Sequence, residues 1–358
     1  MRPLLALVVA PFTLLGQDAA IAAAMQKMID AQEVPGAVTA IATRTGVTHL
    51  AAIGNVKTDS IFWIASMTKP VAGTAILMLQ EAGKLSVDDP VAKHIPAFSK
   101  YPEITIKHLM THSSGLAEAT PAEWAAAKKL GDLVPAYLGK PLQFPTGSQW
   151  KYCQSGINTL GHLVEIASGM PFDKFLAKRL FKPLGMKDTT FFPTAKQKAR
   201  LVAPVRRDKD SGKLVAAALP VGFDPEPFPA ANGGLFATAS DYLRFQRMIL
   251  NQGTLDGKRY LKPESVQQMT TLQSGELKTG FTPGHGWGLT WCVVREPQGV
   301  TAMLSPGSHG HGGAYGTQAW IDPTKGIALL LMVQRAGFAN SDDSPVRMAF
   351  QQAALPQP

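Results

Sequence analysis

The chain has 358 residues, 45% of them hydrophobic and 17% charged, with a formal net charge of +9. That balance belongs to a globular protein with a real core, long enough for two domains or for one large domain with an insertion, and it excludes a disordered chain. The positive charge does not specify nucleic acid: the basic residues are dispersed, and the densest group, Lys196 to Lys213, lacks interleaved aromatics and reads as a solvated face.

At the start, Arg2 precedes an apolar run from Pro3 to Leu15 that is too short to span a bilayer and has the shape of a secretory signal peptide over residues 1–19. Small residues suited to cleavage occur at Gly16 and at Ala20-Ile21-Ala22; a single arginine makes a thin basic region, so a retained N-terminal segment is the alternative. No later stretch is apolar for long enough to cross a membrane, so a periplasmic or secreted protein without stable membrane insertion is expected.

An Ala-rich helix pattern follows over Ile21 to Gln32, then two strand-like runs, Ala37 to Thr43 and Val47 to Ile53, joined as a hairpin by Arg44-Thr45-Gly46. The apolar run from Ile61 delivers Ser66 to a long amphipathic segment, Val71 to Leu85, and Pro70 marks its first turn. From residue 97 to 229 the patterns are short and helical, broken by Gly and Pro: Ile106 to Thr111, Ala122 to Lys129, Ser155 to Ser168 and Phe172 to Leu180. Strand and helix patterns resume at Gly233, with Thr238 or Ser240 capping a helix over Asp241 to Asn251. Gly286 to Val294, Val300 to Leu304, Gly316 to Asp322 and Ile327 to Val333 read as further strands, and Ser344 to Ala354 as a closing helix.

The expected architecture is therefore α/β (α+β): a mainly antiparallel sheet flanked by helices, formed by residues 20–96 and 230–358, with an all-helical second domain, 97–229, inserted.

Three places carry chemistry. Ser66 and Lys69 stand three apart, so on a helix both point to one side, the hydroxyl at the positive dipole end. The same S-x-x-K spacing recurs at Ser148 to Lys151, but there it follows the turn Pro145-Thr146-Gly147 with no helical period after it, and reads as a solvated loop. Tyr152, Cys153 and Gln154 stand at the mouth of the helix that begins near Ser155; a tyrosine near a lysine ammonium can have its pKa lowered enough to move a proton, or can simply pack. Gly307 to Ala314 contains His309, His311, Gly312 and Gly313, whose glycines leave backbone N–H groups open to a ligand, as an oxyanion site requires. Two histidines so spaced could ligate a metal, but no third ligand cluster is near. Cys153 and Cys292 could pair in an exported protein, yet one pair is no disulfide framework, and two unpaired thiols are expected.

In order and spacing, Ser66-Met67-Thr68-Lys69, Tyr152-Cys153-Gln154 and His311-Gly312-Gly313 resemble the three-motif signature of the serine β-lactamase and penicillin-binding-protein superfamily. The segments 83–90, 104–116 and 233–238 are similar too, so the likeness runs from about residue 20 to the C-terminus, in particular to class C β-lactamase-like proteins and family VIII carboxylesterases. The resemblance implies a β-lactamase/transpeptidase-like fold and an acyl-enzyme mechanism needing no metal or organic cofactor. In it Ser66 is the nucleophile, Lys69 and Tyr152 move protons, the backbone N–H groups of Ser66 and Ala314 form the oxyanion hole, and Gln154, His311, Gly312 and Gly313 bind substrate.

The chain departs from the β-lactamase pattern where Y-x-N and K-T-G become Tyr152-Cys153-Gln154 and His311-Gly312-Gly313. A mostly neutral imidazole in place of a lysine loosens the hold on a substrate carboxylate, which fits a carboxylesterase for neutral short- to medium-chain esters. Trp63, Trp287, Tyr315 and Trp320 are candidates to wall an acyl pocket. A β-lactamase, a D-alanyl-D-alanine carboxypeptidase, an amide or lactone hydrolase, and a catalytically silent binder of cell-wall fragments are the alternatives.

Overall fold

A computed structural model of the protein describes residues 14–218 and 228–355. The expected leader falls mostly outside them; its last residues already belong to helix α1 (Leu14–Asp30), where Asp18 contacts the imidazole of His49 at 2.6 Å.

Strands β1 (Gly36–Thr43) and β2 (Val47–Gly54) form the expected hairpin at the edge of a seven-stranded sheet. From that edge the order is β2, β1, Ile327–Met332, Gln318–Asp322, His309–Gly312, Cys292–Val294 and His285–Trp287, with every neighbouring pair antiparallel. The central strands are apolar on both faces, which is why they read as continuous rather than alternating hydrophobic runs. Ala37, Ile41, Leu329 and Leu331 face α1 and the closing helix Pro345–Ala354; Val38, Ala40, Leu330 and Met332 face the opposite core.

That opposite core holds helix α2 (Thr68–Glu81), which is buried at every residue from Thr68 to Leu79. A helix apolar on all sides belongs between two layers. α2 has the sheet on one side and on the other the helix Gln154–Ser168, whose Ile157, Leu160 and Val164 join the same cluster. Packing therefore overrides the amphipathic reading of this segment, and the Ser66–Lys69 pair is held at the junction of the two layers.

Three expectations need correction. The stretch 97–229 is not all helical: Val205–Arg207 and Leu214–Ala216 pair across a turn, and Val205–Arg207 also runs beside Arg335–Ala336. The basic residues there masked a hairpin whose turn is closed by Asp208 accepting the N–H and hydroxyl of Ser211. The segment Val300 to Leu304 is no strand, since Gly299 takes φ +53° and opens a 3-10 turn over Gly299–Thr301. Gly286 to Val294 is two strands rather than one, because the chain reverses between Trp287 and Cys292, where Thr290 adopts φ +69°.

Thr290 also fixes the place of α2. A Cβ built on Gly73 would stand 2.0 Å from the Thr290 Oγ1, so this face of α2 can approach the turn only as glycine. Gly73→Ala should lower stability by about 1–3 kcal/mol in urea denaturation, as overpacking of a fixed β-branched neighbour does. The loss should shrink in a Thr290→Gly background, which removes the clash and the strained dihedral together.

Candidate active site

The turn that carries Ser66 is set from both sides. Phe62–Trp63 pairs with Phe236–Ala237, and the Ile64 N–H donates to Leu235 O at 3.0 Å. The chain then turns through Ala65 at φ +46°, an unusual conformation for a residue with a side chain. A single 3-10 turn, Ala65–Met67, leads into α2. The Tyr242 hydroxyl donates to Met67 O at 2.9 Å and clamps that turn from below.

Lys69 is completely buried. Its Nζ lies 3.0 Å from Ser66 Oγ and donates to Asn232 O at 2.6 Å, while the Tyr152 ring centroid is 4.6 Å away. Among the described residues no carboxylate forms an ion pair with it. Burial pushes its pKa from 10.5 down to about 7, against the weaker opposing pull of Glu118 and Cys153. An amine in that state offers a lone pair to the serine hydroxyl while one of its N–H bonds stays on Asn232.

Tyr152 precedes the helix Gln154–Ser168, whose first N–H groups are capped by Glu118: its carboxylate accepts from Gln154 N at 2.6 Å and Ser155 N at 2.9 Å. The Tyr152 hydroxyl stands 3.4 Å from His311 Nε2. Because His311 Nδ1 donates to Gly312 O at 2.7 Å, Nε2 is the acceptor and the phenol the donor. Burial, helped by Lys69, holds the His311 pKa down at about 3, so the ring is neutral. Of the two readings of Tyr152, a phenol whose pKa a lysine ammonium lowers and one that simply packs, the direction of its shift does not favour the first. Burial raises the Tyr152 pKa well above the usual value, and the Lys69 amine lies over the ring, 4.6 Å from its centroid.

Gln154 Oε1 accepts from Asn232 Nδ2 at 3.2 Å, and Asn232 N donates to Asn158 Oδ1 at 3.1 Å. Asn232 thus ties Lys69 to the second motif. The sequence reading missed it, although it stands immediately before the Gly233-Gly234 pair that was singled out. His112 was missed as well: buried at φ +58°, it accepts the Cys153 N–H on Nδ1 at 3.1 Å, with its ring 4.5 Å from that of Tyr152. Burial holds its pKa well below 6.5.

The third motif comes close to the first. A Cβ on Gly313 would be 2.6 Å from Ile64 O, so only glycine lets this strand end approach the Ser66 turn, and Ala314 follows directly. Behind it, Gly312 has the Asp342 carboxylate where a side chain would be. His309 is not part of the site; it packs edge-on to Trp291 at 5.3 Å. Among the described residues no group of three or more His, Cys, Asp or Glu is arranged to hold a metal ion. Both cysteines are buried and free: Cys153 Sγ accepts from Gly156 N, with its pKa pushed up to about 12 by burial, and Cys292 Sγ lies 3.1 Å from His285 Nδ1.

Of the four aromatics expected at an acyl pocket, Trp63 lines a cavity of about 470 Å³ and Tyr315 stands edge-on to Trp63 at 5.0 Å. Trp287 packs against His112 and His311, whereas Trp320 lies under the Arg347 guanidinium at 4.1 Å, away from the site. Gln154 and Asn232 form part of the cavity wall. The second S-x-x-K copy is a loop: Ser148 Oγ donates to Pro145 O at 2.6 Å and Lys151 reaches the Gln143 side chain.

A serine hydroxyl on a buried amine without an ion pair among the described residues, with a phenol ring over that amine, is an arrangement suited to a serine hydrolase. The Beta-lactamase family model matches residues 19–353, and the chain belongs to that family. Penicillin-binding protein 4 of Amycolatopsis lactamdurans is 30% identical, covering 86% of this chain and 82% of its own. Esterase EstB of Burkholderia gladioli is 29% identical over 78% of each. Among solved structures, EstCE1, a hydrolase with promiscuous acyltransferase activity, superposes with a TM-score of 0.80 at 21% identity, covering 94% of this chain and 99% of that one.

The buried amine has a stability consequence with a definite sign. Lys69 binds its proton more weakly in the folded state than in the unfolded one, so stability rises with pH between about 7 and 10.5. Its full extent is roughly 5 kcal/mol at 1.36 kcal/mol per unit. Lys69→Met should therefore be more stable than the parent at pH 6, with the difference shrinking towards pH 10 in urea denaturation at both pH values.

Proposed function

We propose that the protein is an exported carboxylesterase for neutral esters of short to medium acyl chains. Ser66 Oγ attacks the ester carbonyl as its proton passes to the Lys69 amine, and the N–H groups of Ser66 and Ala314 receive the charge on the carbonyl oxygen. The Tyr152 phenol then protonates the departing alkoxide and is reprotonated from Lys69. Water, deprotonated by the same amine, releases the acid and restores Ser66. The chain is read as two units, 20–96 with 230–358 and the intervening 97–229, with the site between them and export resting on the leader-like residues 1–19.

The observation that carries the ester reading is the charge state around Ser66. His311 and His112 are held neutral, and Lys69 is largely so above pH 7, so none of these three described groups offers a fixed cation to a substrate carboxylate. β-Lactams and peptidoglycan termini carry that carboxylate, so a β-lactamase or D-alanyl-D-alanine carboxypeptidase would lack its anchor here. A silent binding protein is disfavoured because hydroxyl, amine and phenol are all in place.

Hydrolysis of p-nitrophenyl acetate, butyrate and octanoate should exceed nitrocefin turnover; the reverse result refutes the assignment. Ser66→Ala should abolish ester hydrolysis with the fold intact, Tyr152→Phe should slow acylation at least about a hundredfold, and Ser148→Ala should be nearly silent. Since only the free amine can take the serine proton, kcat/KM should rise with pH through a midpoint near 7 and level above it. A flat profile from pH 5 to 9 would remove Lys69 as the base.

A further inference from the structure

The cavity beside Lys69 contains an acid and no base. Among the described residues that line it there is no Lys, Arg or His, although the chain carries a formal net charge of +9. Its walls are aromatic, with Trp63, Trp124, Tyr137, Phe191 and Phe236 presenting rings, and its one charged side chain is Glu118. At about 470 Å³ the space is in the range of pockets that enclose a small organic group.

The Glu118 carboxylate holds the helix start at Gln154, accepting two N–H bonds and the Ser155 hydroxyl at 2.6 Å. These are donors of a backbone and a neutral side chain, and no cation of the cavity wall neutralises it. Tyr137 and Asn158 line the same space, and their side chains contact one another.

We propose that Glu118 makes this cavity selective for a positively charged group, so that the preferred substrates are esters whose acyl chain ends in an ammonium. Ring faces attract a cation, and the carboxylate supplies its countercharge. A carboxylate at the same place meets Glu118 with no cation among the described residues of the cavity wall to offset the repulsion, Lys140 lying outside the wall with its Nζ on the Glu118 carbonyl, which is how a site rejects one substrate while accepting another. The proposal rests on the esterase reading for its substrate class, and on the cavity alone for its charge preference.

Three p-nitrophenyl esters of matched length test it: 6-aminohexanoate, hexanoate and the adipate monoester. The wild-type kcat/KM should favour the cationic over the neutral ester by about fivefold, and the neutral over the anionic by a similar factor, as one partly exposed charge pair gives. Both ratios should contract at about 1 M salt. In Glu118→Gln, which keeps an acceptor for the helix N–H groups, both ratios should fall towards one, any loss from weaker capping being common to all three esters. Equal wild-type rates, or ratios that persist in Glu118→Gln, overturn the proposal. Should no ester be cleaved, the esterase reading fails while the charge preference stays testable. Calorimetry on the Ser66→Ala protein should then show hexylammonium binding more tightly than hexanoate ion and losing that advantage in Ser66→Ala/Glu118→Gln, and equal binding overturns it.

Discussion

The structure depends on an amine that is buried without a countercharge. Lys69 sits where water cannot solvate its ammonium, and its polar partners are a hydroxyl and a backbone carbonyl. A carboxylate in ion-pair contact would stabilise the charged form and lift the pKa back towards that of a free lysine, leaving the serine beside a spent acid. The fold instead absorbs the cost of desolvation and holds the amine's pKa down at about 7. Histidine, elsewhere the usual base, is present twice at this site and in both cases is held neutral as a hydrogen-bonding and packing group.

The rest of the architecture keeps that pair in position. α2 is enclosed by both layers, so the lysine stem is held in the core, and the helix's close approach to the turn at Thr290 requires Gly73. Gly313 requires the same intimacy at Ile64, which brings the third motif against the turn of the first. Asn232 links the lysine to Gln154, and Glu118 fixes the helix that Tyr152 introduces. Each contact is short and specific, and together they join segments far apart in the chain around one hydroxyl.

Much of this was legible in the sequence, and the failures have physical reasons. The hairpin, the helix after Tyr152 and the closing helix were readable because their periodicity, turns and caps are local, and the helix after Ser66 because Pro70 marks its first turn. That Ser66 leads into a helix while Ser148 lies in a loop was readable because helical periodicity directly follows only the first. The hairpin at 205–216 was hidden by its basic residues, and the 3-10 turn at Gly299 by β-branched neighbours that mimic a strand. Asn232 acts through its backbone carbonyl, which no side-chain pattern records. The direction of the tyrosine shift depends on how deeply the site is buried, a property of the assembled core rather than of any motif.

The most direct test is the protonation state of Lys69 itself. With the lysine side chains labelled with 13C at the ε position, NMR titration of the protein, with the Lys69→Met variant to assign the signal, should show one lysine titrating near pH 7. A Lys69 signal that stays in the ammonium form up to about pH 10, as free lysines do, would contradict the account.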